Sequence, residues 1–280
     1  MYAPLTQLES RRREVALELQ WLSARGRTGR RSPRFRRLVA FLAGDVREAV
    51  KPSTWDALGN VYVVSPRLQG ATPERVVELV GDADGLVEVT PLAADAAEVV
   101  IWNADGSRAE MSGNATRIAA AWLAKRTGAA VVRIVSGDRE VSVRFLADGT
   151  AEQDMGEIRI GPPEELEGIE FVRVDVGNPH AVVRGDPADV VWIGPRLETH
   201  PAFPNRTNVQ VGRIDGSRTV TARVWERGVG ETSSSGTGAV AVAAGCIGAG
   251  EVEVRFPGGT LAVRLVGSRA FLTGPAVQLS

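Results

Sequence analysis

Short runs rich in valine and isoleucine alternate along this chain with turns built on glycine, asparagine and proline. Two stretches of small apolar residues read instead as helices buried on every side: Ala115-Thr-Arg-Ile-Ala-Ala-Ala-Trp-Leu-Ala124 and Ala239-Val-Ala-Val-Ala-Ala244. Strands are expected at Val61 to Val64, Leu86 to Val89 and Glu98 to Trp102, then at Phe171 to Val176, Val209 to Val211 and Thr219 to Trp225. Each helix is followed by a hairpin-like pair, Val131 to Val135 with Val141 to Phe145, and Val252 to Phe256 with Leu261 to Leu265. Thr72-Pro73 signals a further short helix, with threonine as cap and proline at the first helical position. The regular β and α alternation of a Rossmann arrangement is missing, so the pattern predicts an α+β class.

The order of these elements repeats. In each half a Trp stands ten residues before a Ser-Gly that opens the small-residue helix, Trp102 to Ser112 and Trp225 to Ser235. A Gly-Asn opens an apolar stretch upstream in both, Gly59-Asn60 and Gly177-Asn178. Repeats of this length predict two pseudo-symmetric domains, each a mostly antiparallel sheet wrapped around a central helix, with both helix starts converging on one cleft. The expected bounds are 51–160 and 161–280, with a last strand able to return to the first domain. Gly161-Pro-Pro-Glu-Glu-Leu-Glu-Gly168 reads as the excursion between them.

Charge adds one feature. Residues 1 to 50 carry a net +6 from eleven arginines, and the remaining 230 residues carry −7, leaving −1 overall. The arm, with helical stretches expected at Arg11 to Leu22 and Phe35 to Leu42, reads as an extension outside the fold, and the chain as a whole offers no electrostatic case for nucleic acid. A single cysteine, Cys246, excludes an intramolecular disulfide, and two histidines leave little room for a zinc centre. No apolar run suggests a membrane span or signal peptide, so a cytoplasmic protein is expected. No metal is expected, and a homodimer is left open.

Polar residues collect at strand ends and turns: Asn60, Asn103, Asn178, Asn208, Glu226 and Arg227, beside helix starts at Gly113-Asn114 and Gly236-Thr237. Arg227 can grip a carboxylate with two N–H groups, and asparagine amides can fix its plane. Glu226 can hold an ammonium, and the free N–H groups of a helix start can hold a second carboxylate. Together they suit a zwitterion bearing two carboxylates. Each Ser-Gly start is equally an ordinary helix cap.

These motifs, Leu58-Gly-Asn60, Asn103-Ala-Asp-Gly-Ser107, Ser112-Gly-Asn114, Gly177-Asn-Pro-His180, Phe203-Pro-Asn-Arg-Thr-Asn208 and Glu226-Arg-Gly-Val-Gly-Glu-Thr232 with Gly236-Thr-Gly238, resemble diaminopimelate epimerase from about Thr54 to Ala276. The resemblance implies a cofactor-independent epimerase that interconverts LL- and meso-diaminopimelate. It places Ser112 and Ser235 as the two acid–base positions, on opposite faces of the α-carbon. It implies that Asn103, Asn178, Asn208 and Arg227 hold the distal carboxylate and Glu226 the distal ammonium. The N–H groups of Gly113, Asn114, Gly236 and Thr237 would grip the reacting carboxylate, with Asn60 orienting that end.

Serine stands at both positions where the family carries cysteine, whether natively or by introduction. A thiol ionises near pH 8.5 and a serine hydroxyl several units higher, so turnover is expected to be low while binding groups persist. Ala115, where the family carries glycine, is a second departure. Two alternatives stay open: a silent relative that binds a diamino diacid, and a same-fold racemase or isomerase that uses another base such as Glu110 or Glu231.

Overall fold

A computed structural model describes residues 51–280 apart from 67, 69, 70, 110 and 111. The arginine-rich arm and Glu110 thus lie outside the described residues. The chain runs β1 (Ser53–Asp56), β2 (Val61–Pro66), α1 (Pro73–Val80), β3 (Gly85–Ala93), β4 (Ala96–Asn103), β5 (Arg108–Ala109), α2 (Gly113–Thr127), β6 (Val131–Ser136), β7 (Arg139–Phe145) and β8 (Ala151–Glu157). It continues β9 (Arg159–Leu166), β10 (Ile169–Asp175), β11 (Pro179–Arg184), α3 (Val190–Glu198), β12 (Asn208–Gly216), β13 (Thr219–Glu226), β14 (Gly230–Thr232), α4 (Gly236–Cys246), β15 (Gly250–Phe256), β16 (Gly259–Val266), β17 (Arg269–Gly274) and β18 (Val277–Gln278).

Strand pairing repeats step for step. β1 is antiparallel to β2, which runs parallel to β3; β3 and β4 are antiparallel, and β4 runs parallel to β6. In the same way β10 is antiparallel to β11, β11 parallel to β12, β12 antiparallel to β13 and β13 parallel to β15. The duplication read from the Trp and Ser-Gly spacing is therefore a duplication of pairing topology. β8 pairs with β17 and joins the two sheets edge to edge, while β18 crosses back to pair with β1.

Each sheet encloses one helix of small residues. Every residue of α4 is buried, as are Gly113 to Leu123 of α2. Alanine and valine let the surrounding strands approach the helix backbone, and each fully buried valine contributes roughly 1.5–3 kcal/mol. The last turn of α2 carries Lys125 and Arg126, favourable at the negative end of the helix dipole, before Gly128 closes it in the left-handed region at φ 73°.

One expectation needs correction. Gly161 to Gly168 is not a free excursion: Arg159–Leu166 forms β9, an antiparallel partner of β10 that turns back at Glu167-Gly168. Pro162 and Pro163 are compatible with a strand because β9 lies at a sheet edge, where a missing N–H costs no ladder bond. Helix α3 adds an element for which no expectation was set, and it carries Pro195 inside it.

Gly85 serves close packing. A Cβ there would lie 2.3 Å from the Trp102 carbonyl oxygen and 2.7 Å from the Tyr62 ring. Gly85→Ala is expected to lower stability by about 1–3 kcal/mol through overpacking, read as a lower urea midpoint with an unchanged slope.

Candidate active site

Ser112 and Ser235 cap α2 and α4 in nearly the same geometry. Their φ, ψ pairs are −136°, 122° and −145°, 128°, and each hydroxyl oxygen accepts an N–H at 3.2 Å, from Ala115 and Gly238. The two helix starts touch. A Cβ on Gly113 would sit 3.6 Å from the Gly236 Cα, and one on Gly236 would sit 3.5 Å from the Gly113 Cα. The serines, one residue earlier in each case, therefore stand at one junction, on helices that enter from the two halves. Capping and proximity coexist, because the lone pair used by the cap leaves the O–H free to point elsewhere.

Around this junction the halves clasp each other. The Leu58-Gly59 turn has positive φ at both residues, 59° and 76°. The Leu58 carbonyl accepts from the Ser234 hydroxyl at 2.9 Å, and the Gly59 carbonyl accepts from Ser233 at 3.4 Å. Asn60 Oδ1 accepts from Asn114 Nδ2 at 3.2 Å, and Asn114 Oδ1 accepts from Arg117 Nη2 at 2.9 Å. Arg117 is fully buried and also donates to the Pro275 carbonyl at 2.9 Å. Burial pulls its guanidinium down to about 10, with Asp56 opposing the shift. It remains a cation at neutral pH beside the start of α2.

The second half supplies a chain of amides. Gln210 Nε2 donates to His180 Nδ1 at 2.9 Å, so the imidazole proton sits on Nε2 and donates to Asn178 Oδ1 at 2.9 Å. Asn178 Nδ2 is thereby turned towards Thr237 Oγ1, 3.4 Å away at the start of α4. Burial pushes the His180 imidazole down to about 4, so it stays neutral and acts as a fixed dipole. Asn208 donates to the Pro179 carbonyl at 2.9 Å and accepts from the Arg227 backbone N–H at 3.0 Å. Arg227, Asn178, His180, Asn205, Phe203 and Arg173 line a cavity of roughly 750 Å³.

Asn103 is placed differently. Its amide donates to Ser107 Oγ at 2.9 Å and closes its own turn, though its strand position pairs with Gly85 in the same row as Tyr62.

Each serine has a neighbour able to exchange a proton. The Glu226 carboxyl lies beside the Ser235 and Thr232 hydroxyls, which favour its charged form, while the Thr232 hydroxyl donates to the Ser234 carbonyl at 3.4 Å. The Glu226 residue keeps partial exposure, but its carboxyl is withdrawn from water, and this burial raises its pKa, with Asp84 adding to the rise. Across the junction the Tyr62 hydroxyl donates to Ser112 Oγ at 3.4 Å. Burial raises the Tyr62 phenol to about 12, helped by the charges of Glu226 and Asp84 and opposed by the Ser112 bond. The sequence shows no histidine beside either serine, and the structure supplies a carboxyl and a phenol instead.

Several of these residues carried no signal of their own in the sequence: Tyr62, Gln210, Ser233, Ser234 and a pair of buried glutamates. Trp102 Nε1 donates to Glu88 at 2.6 Å and Trp225 Nε1 donates to Glu198 at 2.7 Å. Glu198 also accepts the Gly228 N–H at 2.7 Å and so holds the Glu226-Arg227 turn. The repeated Trp was the available clue, since a buried indole N–H needs an acceptor.

Two contacting halves, each presenting a capped helix start to a shared junction, define the architecture of a pseudo-symmetric epimerase. The solved structure of a predicted epimerase from Pseudomonas aeruginosa has this fold, with a TM-score of 0.67 at 17% identity over 83% of this chain and 98% of that one. Closer likeness comes from sequence. The profile of the family "Diaminopimelate epimerase" matches residues 172–279. The diaminopimelate epimerase of Desulfovibrio desulfuricans is 33% identical across 82% of this chain and 96% of its own length. That of Desulforudis audaxviator is 35% identical across 79% and 94%. The chain belongs to the diaminopimelate epimerase family, and thus to the epimerase-type isomerases.

Proposed function

We infer that this protein binds diaminopimelate, or a close diamino diacid, and exchanges its α-proton without a cofactor. Ser112 and Ser235 act from opposite faces of the α-carbon. The observation that carries this reading is the contact between the two serine-capped helix starts, with Tyr62 behind one hydroxyl and Glu226 behind the other. A proton leaving the α-carbon passes to Ser235 as the Ser235 proton moves onto Glu226, and Ser112 delivers a proton from the far side. The N–H groups of Gly113, Asn114, Gly236 and Thr237 stabilise the charge that develops on the reacting carboxylate.

At the distal end Arg227, Asn178 and Asn208 face or border the cavity and take the second carboxylate, with Asn103 joining them once a ligand competes for its amide. Glu226, beside the Ser235 and Thr232 hydroxyls, has lone pairs enough to take an ammonium as well. Asn60 orients the reacting end through Asn114. The bounds 51–160 and 161–280, with β18 returning to the first unit, are the division that suits hinge-like closure over such a ligand. A same-fold reaction using Glu231 is disfavoured, since both its oxygens are held by Arg223 at 2.5 and 2.7 Å.

Titration calorimetry with meso- and LL-diaminopimelate, paired with deuterium wash-in at the α-carbon, tests the reading. Binding with slow but measurable wash-in is expected. Binding without wash-in would favour the silent relative. No binding at about 1 mM, the upper end of ordinary KM values, would overturn the substrate assignment.

A further inference from the structure

We propose that Tyr62 is the positioning residue for Ser112, and that the acid–base unit of the first half is a Ser112–Tyr62 pair wired differently from the Ser235–Glu226 pair opposite. This deepens the epimerase reading above and rests on it for the identity of the reaction.

The geometry is specific. Tyr62 sits in β2, 6% exposed, with its ring against Gly85, where any side chain would collide with it. Its hydroxyl is aimed at Ser112 Oγ, 3.4 Å away. That separation is long for an O–H···O bond, as catalytic hydrogen bonds are before a ligand closes the site. Ser112 Oγ thus receives two donors, the Ala115 N–H and the Tyr62 O–H, and its own proton is left for the substrate. Ser235 Oγ receives one donor, the Gly238 N–H, and has the Glu226 carboxyl beside it as an acceptor for its own proton. In the resting site the first serine is therefore arranged to give a proton and the second to take one.

The proton balance closes. As the Ser112 O–H bond breaks and a C–H bond forms at the α-carbon, the Tyr62 proton moves to Ser112 Oγ and leaves a phenolate. The α-proton lost from the other face has meanwhile converted Glu226 to the neutral acid. The charged groups facing Tyr62 are Glu226 and Asp84, so the phenolate forms as one of these two carboxylates, Glu226, is neutralised. The return transfer from Glu226 to Tyr62 resets the site without a change in net charge.

Tyr62→Phe removes only the hydroxyl and keeps the ring on Gly85. The first test needs no substrate. In a Ser112→Cys variant, the pH dependence of alkylation reads ionisation of the new thiol directly, while Cys246 stays silent because burial pushes its thiol up to about 11. With Tyr62 present the phenol stabilises the thiolate, and adding Tyr62→Phe is expected to slow alkylation at pH 7 about three- to tenfold, with the midpoint moved to higher pH. Superimposable profiles would overturn the proposal, even if the Phe variant proved less stable. The second test compares wash-in from the two stereoisomers. In the otherwise unaltered protein, Tyr62→Phe should slow exchange at the face served by Ser112 more than at the face served by Ser235. Equal slowing of both faces would mean a structural role and would also overturn it. Should no form of the protein show wash-in, the epimerase reading fails while the alkylation result still decides whether Tyr62 tunes position 112.

Discussion

Replacing Ser112 and Ser235 together by cysteine is expected to raise α-proton exchange by about a hundredfold or more. The argument rests on ionisation. A thiol is unperturbed near 8.5 and falls further at a helix N-terminus, whereas a serine hydroxyl lies several units higher, and each unit is a factor of ten in the population of the base form. Both positions are helix N-caps with an N–H at 3.2 Å, so a thiolate at either would meet a donor and the positive end of a helix dipole. The two single variants separate the roles. Each should accelerate wash-in from only one stereoisomer, because each base addresses one face, and only the double variant should accelerate inversion. Cysteine is a poorer cap than serine, so each replacement should also cost about 0.5–2 kcal/mol of stability. Wash-in and inversion followed by NMR and circular dichroism, beside a urea titration, read all of these effects. An unchanged exchange rate in the double variant would remove the two-base assignment.

How far these features could be read beforehand depends on their range along the chain. The caps at Ser112 and Ser235 are local: a polar residue, glycine and an apolar run suffice to locate them, and the structure returns both helices where the pattern put them. The duplication was legible because its markers are regularly spaced. What joins the halves is not local. Ser234 reaches Leu58 across 176 residues, and Tyr62 reaches Ser112 across 50. No periodicity encodes such a contact, and Tyr62 in an apolar strand looks like any core aromatic. β9 and α3 were obscured by proline, which breaks interior structure but is tolerated at a sheet edge, and α3 continues through Pro195 to Glu198.

Glu226→Gln is the second large effect expected, and it separates chemistry from stability. Glu226 must be ionised to take the Ser235 proton, so its loss should lower exchange about 10²- to 10⁴-fold, the usual size of a general-base contribution. The amide keeps an acceptor oxygen beside the Ser235 and Thr232 hydroxyls, so the site should keep its shape. If Glu226 also binds the distal ammonium, affinity falls with the rate; if it serves Ser235 alone, affinity holds. Stability should move the other way. The carboxyl has its pKa raised in the folded chain, chiefly by burial. It therefore contributes stability below its unfolded value, and that contribution is lost as pH rises through the folded value. Glutamine carries no such penalty, so at pH 7 the variant should melt at or above the temperature of the unaltered protein, and this advantage should vanish towards pH 4. The same raised pKa sets the acid limb of wild-type activity, which should rise with pH above the ordinary glutamate range. A variant that exchanges protons normally, or that loses stability at neutral pH, would show that the buried carboxylate is a structural anchor and that the Ser235 proton goes elsewhere.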